Sequence, residues 1–293
     1  MSELDWLAER FESHRPHLRA AAYRMLGSVS EAEDAVQEAW VRLSRSAVDD
    51  VENLGGWLTT VVGRVCLDML RTRRSRREEP LELSMPDPIV ELVEDRGPEQ
   101  QALLAESVGL ALLIVLDTLS PGERLAFVLH DMFGLPFEEI APIVDRTPGT
   151  AMQLASRARR RVRGTAPVPD HDLSRQREVV EAYLAASRRG DFAALLAVLD
   201  PEVVLRADYG RLDLGMPRSV RGAQAVTRQA LLFSRTGATA RLALVNGAIG
   251  ALVNLNEALY AVVAFTVTNG RVAEINILAD PDRLSRLEIP IGA

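Results

Sequence analysis

Lysine is absent from this chain: all 34 cationic side chains among its 293 residues are arginine. Such a bias follows more readily from a GC-rich coding genome than from selection for bidentate contacts, so no arginine identifies a binding site by its type alone. Cysteine is nearly as scarce. The single one, Cys66, excludes an internal disulfide, and its setting among Val62, Val65 and Leu70 marks it as a small buried apolar residue. Long apolar runs are missing too: the longest, near Val108 to Leu116, is too short to cross a bilayer. The N-terminal MSELDWLAE is acidic and carries no signal-peptide pattern, so the expected compartment is the cytoplasm. No histidine follows His171, and neither a metal nor a cofactor is expected. The remainder, 47% hydrophobic and 26% charged, suits a globular protein of two or three domains.

Charge is segregated along this chain. From Arg64 to Arg77 six arginines stand against one acid, Asp68, and from Arg146 to Gly164 six more occur with no acid at all. The formal net charge is nonetheless -7, and the stretch Glu78 to Glu99, with eight acids against Arg96, accounts for all of it. Clustered cations on a helix suit phosphates, while a nearby acidic segment competes for them. The free protein is therefore expected to bind DNA weakly until a larger partner holds the two basic helices apart.

The first part reads as helices, from Leu4 to Leu26 and again from a capping box at Ser30 and Glu33. Ala32, Ala35, Val36, Ala39, Trp40 and Leu43 then form one apolar stripe at helical spacing, leaving Glu31, Asp34 and Glu38 as an acidic outer face. After a polar break, a helix runs from Leu54 to Arg77. Pro80, Pro86, Pro88 and Pro98 make Glu78 to Pro98 an extended linker, and helices resume from Gln100 to Leu119. Ser120-Pro121-Gly122-Glu123 is a helix start with a serine cap and proline at the first helical position. Residues 137–164 then show helix-turn-helix spacing, with a turn at Asp145-Arg146 and a second helix opened by Thr147-Pro148. Pro142 lies inside the first of those helices.

Beyond Pro169 the pattern changes to α+β. Helices Ser174 to Arg189, Phe192 to Leu199 (capped by Asp191) and Ala223 to Phe233 accompany strands at Val203 to Ala207, Thr239 to Val245, Ala251 to Leu255, Ala258 to Thr268 and Val272 to Leu278. Asn246-Gly247 and Asn269-Gly270 mark tight turns. Such a curved sheet folded over helices can enclose a pocket.

Together, WLTTVVGRVCLDMLRTRRSRR at 57–77 and EAEDAVQEAWVRL at 31–43 resemble region two of extracytoplasmic-function (ECF) sigma factors, and TLSPGERLAFVLHDMFGLPFEEIAPIV with the helix beyond it resembles their region four. The linker and α+β tail resemble the SigJ-like group, in which a SnoaL-type domain, a nuclear-transport-factor-like cone, is fused to the sigma modules; DPDRL at Asp280 to Leu284 is similar to that group's NPDKL motif. The resemblance implies a multidomain fold: an all-α region two at 1–79, an acidic linker at 80–100, an all-α region four with its helix-turn-helix at 101–165, a short linker at 166–174 and a SnoaL-like regulatory domain at 175–293.

It also implies partners and sites. Glu31, Asp34, Gln37 and Glu38 would dock on core RNA polymerase, the alternative being a solvated surface. Arg64, Arg71, Arg73, Arg74, Arg76 and Arg77 would neutralise phosphates at the minus-ten promoter element, with a flipped base held by the loop Asp49 to Asn53. Trp57 would either stack on DNA or belong to the core. Thr150, Met152, Gln153, Ser156 and Arg157 would read the minus-thirty-five element, while Arg159, Arg160, Arg161 and Arg163 contact its backbone. Leu154 and Asp145 depart from the basic residue and glycine common at those positions. The acidic linker would thread the RNA exit path or serve as a spacer.

For the tail, the resemblance implies an interface through Asp208, Arg211, Asp280, Asp282 and Arg283 that regulates the sigma modules and replaces a separate anti-sigma protein. Asp208-Tyr209-Gly210-Arg211 replaces the group's Asp-Gly-Gly-Gly-Lys-like segment. The cone family includes cyclases and isomerases, which makes Asp208, Tyr209 and Asp213 acid or base candidates, but no Asp/His pairing stands out and no catalysis is expected. Promoter DNA and core polymerase are the expected partners, with room for a small ligand in the tail's pocket, and a stress response is the expected setting. A ligand-sensing helix-turn-helix regulator, which would grip duplex DNA without polymerase, is the main rival; a SnoaL-type cyclase or isomerase is the third reading.

Overall fold

The computed structural model describes residues 3–45, 53–76, 85–92, 109–165, 167–212, 214–234, 236–287 and 289. It divides into two compact units, Met1–Glu82 with Leu113–Thr165, and Leu83–Leu112 with Ala166–Ala293. The residues placed in the acidic linker by composition therefore group, in their described part, with the C-terminal domain.

In the first unit, helices α1 (Glu3–Leu26), α2 (Val29–Leu43) and α3 (Leu54–Arg76) pack pairwise into a bundle. The predicted stripe of α2 is the reason: Ala32, Ala35, Val36, Ala39 and Leu43 are all buried, and the small alanines let neighbouring helices come close. Leu18, Met25, Leu58 and Leu67 fill the centre, each contributing ~1.5–3 kcal/mol by leaving water. Cys66 is buried as expected; burial pushes its thiol up to about 12, which keeps it protonated and unreactive.

The capping box expected at Ser30 and Glu33 does not form. Gly27, at φ +72°, ends α1 and turns the chain at once, so α2 starts at Val29 with Ser28 as its N-cap. Ser30 then lies inside the first turn, where its hydroxyl meets that of Ser28 at 3.1 Å, and Glu33 pairs with Arg15 at 3.1 Å instead. A guanidinium adds Coulomb attraction between full charges to the hydrogen bond, which a neutral backbone amide does not.

The same unit holds the later part of α4 (Leu110–Asp117), then α5 (Pro121–Phe127), which runs on through a π-helical turn (Val128–Met132), then α6 (Phe137–Val144) and α7 (Pro148–Thr165). Here the predicted capping box at Ser120 and Glu123 is complete, with Pro121 at the first helical position. Asp145 supplies the left-handed turn between α6 and α7 at φ +55°, and its amide and that of Arg146 both donate to the Ala141 carbonyl. Aspartate tolerates this conformation better than most residues, which explains why glycine is dispensable there. Helices α5 and α6 pack on α3, and Gly63 leaves room for the π-helical turn: a Cβ there would sit 3.1 Å from Leu129 Cδ1.

The second unit is a seven-stranded sheet in the order β1-β4-β5-β6-β7-β2-β3: β1 (Val90–Leu92), β2 (Leu199–Asp208), β3 (Ser219–Arg221), β4 (Thr239–Val245), β5 (Ala248–Leu255), β6 (Ala258–Thr268) and β7 (Arg271–Leu278). Only the β2–β7 pair is parallel. Helices α8 (Leu173–Arg189), α9 (Phe192–Val198) and α10 (Ala223–Ser234) cover one face, burying Val180, Tyr183, Leu195, Leu205, Val226 and Phe265 among others; α11 (Pro281–Leu284) is the last helix among the described residues. The turns at Asn246-Gly247 and Asn269-Gly270 adopt positive φ as predicted, and Asn256-Glu257 does so without a glycine. Asp170 ties the approach to α8 onto the β6–β7 turn; bonds from the Gly270 and Asn269 amides hold its carboxyl below the usual range.

Two strands were not foreseen. β3 is three residues long, and β1 lies inside the predicted linker, pairing Val90 with Val245 and Leu92 with Ala243. Its partner is remote in sequence, so no local pattern could announce it.

Candidate functional site

Helix α3 starts with the Asn53 carboxamide accepting the Gly56 amide at 3.0 Å, so Asn53 serves as a helix cap; the rest of its predicted base-capturing loop lies outside the described residues. Seven-residue spacing returns to nearly the same helix face, which places half-buried Trp57 and exposed Arg64 and Arg71 on one stripe with exposed Arg74 beside it. Arg71 lies 3.9 Å from Asp68 and 3.9 Å from Asp145 in the turn before α7. Arg73 faces the other way. Its Nε donates to Glu31 at 3.1 Å and its Nη1 to the Leu26 carbonyl at 3.0 Å. A predicted phosphate contact and a predicted polymerase contact therefore neutralise each other. Arg76 ends α3, and Arg77 lies outside the described residues.

Asp34, Gln37 and Glu38 are exposed on one side of α2, and Glu38 accepts from Arg42 one turn on at 3.0 Å. Beside them is a small groove of about 160 Å³ whose lining includes Phe11, Arg15, Val36, Gln37 and Trp40.

On α7, Ala151, Ala155 and Ala158 face the core. Met152, Gln153, Arg157 and Arg160 are exposed; Thr150 and Ser156 are half-buried, and the Thr147 hydroxyl accepts the Thr150 amide at 3.3 Å. Three arginines lean back on their own unit: Arg157 on Glu123 at 3.0 Å, Arg159 on Asp131, and Arg161 on the Thr118 carbonyl at 3.3 Å. Arg160 and Arg163 have no ion pair among the described residues. Burial raises the Glu123 carboxyl, but the Ser120 hydroxyl and amide and the Arg157 guanidinium outweigh it and hold the group below its ordinary range.

Within the second unit, Asp208 and Arg283 meet at 2.8 Å. The Asp208 carboxylate also accepts the amides of Met85 at 3.2 Å and Gly210 at 2.9 Å. Arg283 further donates to Asp87 through Nε at 3.0 Å and to the Met85 carbonyl at 2.5 Å. Asp280 caps α11 by accepting the Asp282 amide at 3.0 Å, while Arg211 and Asp282 point to solvent. Gly210, at φ +61°, passes so close that a Cβ would lie 2.4 Å from the Asp280 carboxylate. Asp213 lies outside the described residues. With Asp208 already bonded to Arg283, and burial pushing Tyr209 up, neither is presented as an acid or base. Sequence reading missed Met85, Asp87 and Arg218, whose Nη2 donates to the Gly210 carbonyl at 2.7 Å, because contacts so far apart in the chain leave no spacing signal.

The family described as Sigma-70 region 2 matches residues 10–76, and that described as Sigma-70, region 4 matches residues 110–162. Over 293 residues the chain is 36% identical to the probable ECF RNA polymerase sigma factor SigI of Mycobacterium tuberculosis, covering 100% of this chain and 99% of that protein. The chain belongs to the ECF sigma factors. It is also 36% identical to the ECF RNA polymerase sigma factor SigJ of the same species, covering 94% of this chain and 92% of that one. The crystal structure of SigJ matches with a TM-score of 0.76 at 33% identity, covering 96% of this chain and 99% of that chain. Like SigJ, this sigma factor joins region-two and region-four modules to an α+β SnoaL-like domain. As a sigma factor it binds core RNA polymerase and directs promoter-specific initiation. Among the described residues no helix is long and apolar enough to cross a membrane, and no group of three or more His, Cys, Asp or Glu residues is placed to hold a metal ion.

Proposed function

We propose that this sigma factor is held inactive by two internal devices, one in each unit, and that polymerase releases both. In the helical unit, α3 and the helix-turn-helix carry the two DNA-facing surfaces, yet they pack together, with Arg71 within 3.9 Å of Asp145. Promoter elements named for positions about 25 base pairs apart are separated by roughly 85 Å at ~3.4 Å per base pair. Both surfaces cannot reach them from one packed unit. Region two and region four must part, and the exposed face Asp34, Gln37 and Glu38 is the surface on which polymerase would engage region two.

The second device is capture of the linker, and the Arg283 cluster is the observation that carries it. β1 adds three residues to the edge of β4, the Asn246 amide donates to the Ile89 carbonyl at 2.8 Å, and Arg283 clasps Met85 and Asp87. A linker held this way cannot occupy an RNA path. The C-terminal domain thus acts on the sigma modules through Asp208 and Arg283 and performs no covalent chemistry of its own. Arg211 and Asp282, both exposed, remain available to an outer partner.

In vitro transcription with core polymerase tests this reading. Arg283→Ala and Glu91→Pro, which removes the amide that faces Leu244 of β4, should each raise transcript yield several-fold, with core binding in a pull-down unchanged. Yields equal to wild type from both variants would sink the linker-capture reading. Tight promoter binding by the protein without polymerase would instead favour a self-sufficient regulator.

A further inference from the structure

The helical unit contains a cavity of about 390 Å³ whose rim includes Arg73, Arg74 and Arg161, expected at promoter phosphates, but whose enclosed space those contacts do not explain. Its walls come from α3, from the start of α5 and from α7, and they bring together Arg73, Arg74, Arg124 and Arg161 with two carboxylates, Asp117 and Glu123. Both carboxylates are already engaged. Asp117 accepts from Arg124 at 3.0 Å, and Glu123 is shared among the Ser120 cap, Arg157 and, at 3.7 Å, Arg161.

Arg124 is the telling residue. It is only 2% exposed, its Nε donates to the Arg24 carbonyl at 3.2 Å, and its Nη1 to Asp117, but its buried Nη2 has no hydrogen-bond partner. An unpaired buried donor is costly, and more so when charged, so a site of this kind favours an incoming acceptor. Burial disfavours the Arg124 charge most; Asp117 offsets part of that, and the neighbouring Arg73 charge works against it again. Positive potential is left over.

We propose that this cavity binds a small phosphorylated anion, its phosphoryl oxygens taken by Arg74, Arg161 and the unpaired nitrogen of Arg124. Guanidinium groups converging from three helices suit a tetrahedral group with oxygens on several sides; a planar carboxylate offers only two. The volume falls at the lower end of the ~300–1,000 Å³ usual for small-ligand pockets, far above the ~30 Å³ share of one water. A diphosphate with an attached group fits that range. Because the walls belong to both α3 and α7, a bound anion would cross-brace region two and region four and stabilise their packed arrangement.

Isothermal titration calorimetry of the full-length protein with pyrophosphate and with ADP is the test, a short single-stranded DNA being titrated in parallel. The expected result is saturable one-to-one binding of at least one of the two small anions with a rise in Tm. Arg74→Ala and Arg161→Ala should each weaken that binding by about tenfold, the loss of one charge-assisted bond. Arg188→Ala, which removes an exposed arginine on α8, should leave it unchanged. The proposal is overturned if neither small anion gives saturable heat, if Arg188→Ala weakens binding as much as the cavity variants, or if only DNA binds.

Discussion

In the helical unit the arginines of α7 lean on acids at the edge of solvent, Arg157 on Glu123 and Arg159 on Asp131, whereas in the C-terminal unit Arg283 meets Asp87, Asp208 and the Met85 carbonyl in one cluster beside a strand. The first kind of contact is screened by salt and exchangeable, and it suits the proposed role of these side chains in turning to phosphate when DNA arrives. The second combines backbone pairing with an ion cluster around Asp208, which is 6% exposed. Such an arrangement persists until the segment is pulled away as a whole. Arg124 is the exception within the helical unit, since it is buried and joins α5 to α1 through the Arg24 carbonyl.

The sharpest way to break the contrast is Arg124→Met. Losing two hydrogen bonds of a charged group, to half-exposed Asp117 and to the Arg24 carbonyl, should cost about 3 kcal/mol, read as a lower urea midpoint for the helical unit. A surface-like loss under ~0.5 kcal/mol would place Arg124 with the α7 arginines after all. Next comes Gly210→Ala. Its positive φ and the approach of Asp280 should together cost about 1–2 kcal/mol and lower the hydrogen-exchange protection of the β1 amides, if Gly210 positions the Asp208 loop under the linker. The smallest effect is expected from Glu123→Gln. Freed from it, Arg157 and Arg161 should bind a promoter fragment about two- to threefold more tightly at low salt, with the difference vanishing at high salt.

Acid offers a second handle on Glu123. Its folded pKa is depressed, so its contribution to stability is complete above the ordinary carboxylate value and is lost as pH falls through the lower folded value. A pH series of urea midpoints should show this dependence in wild type and its reduction in Glu123→Gln.

Local signals were read well wherever the chain needed only its neighbours. The box Ser120-Pro121-Gly122-Glu123 and the cap Asp191 act within one turn of helix, and the turns at Asn246-Gly247 and Asn269-Gly270 depend on two residues each. The Ser30–Glu33 box failed for the opposite reason: Arg15 on another helix competed for Glu33. Likewise Arg73 looked like one more phosphate contact until α2 placed Glu31 against it. Asp208, Asp280 and Arg283 were legible through the motif they resemble, but Met85 and Asp87 carried no pattern of their own.

Composition and periodicity by themselves determined the helical modules, the basic faces of α3 and α7, and the change to an α+β tail, because each follows from which side chains recur at 3.6- or 2-residue intervals. Tertiary structure alone decided which charges are spent internally, that part of an acidic linker becomes an edge strand, and that four arginines border one cavity. Ion pairing and strand addition join residues far apart in the chain, and only the folded backbone sets those distances.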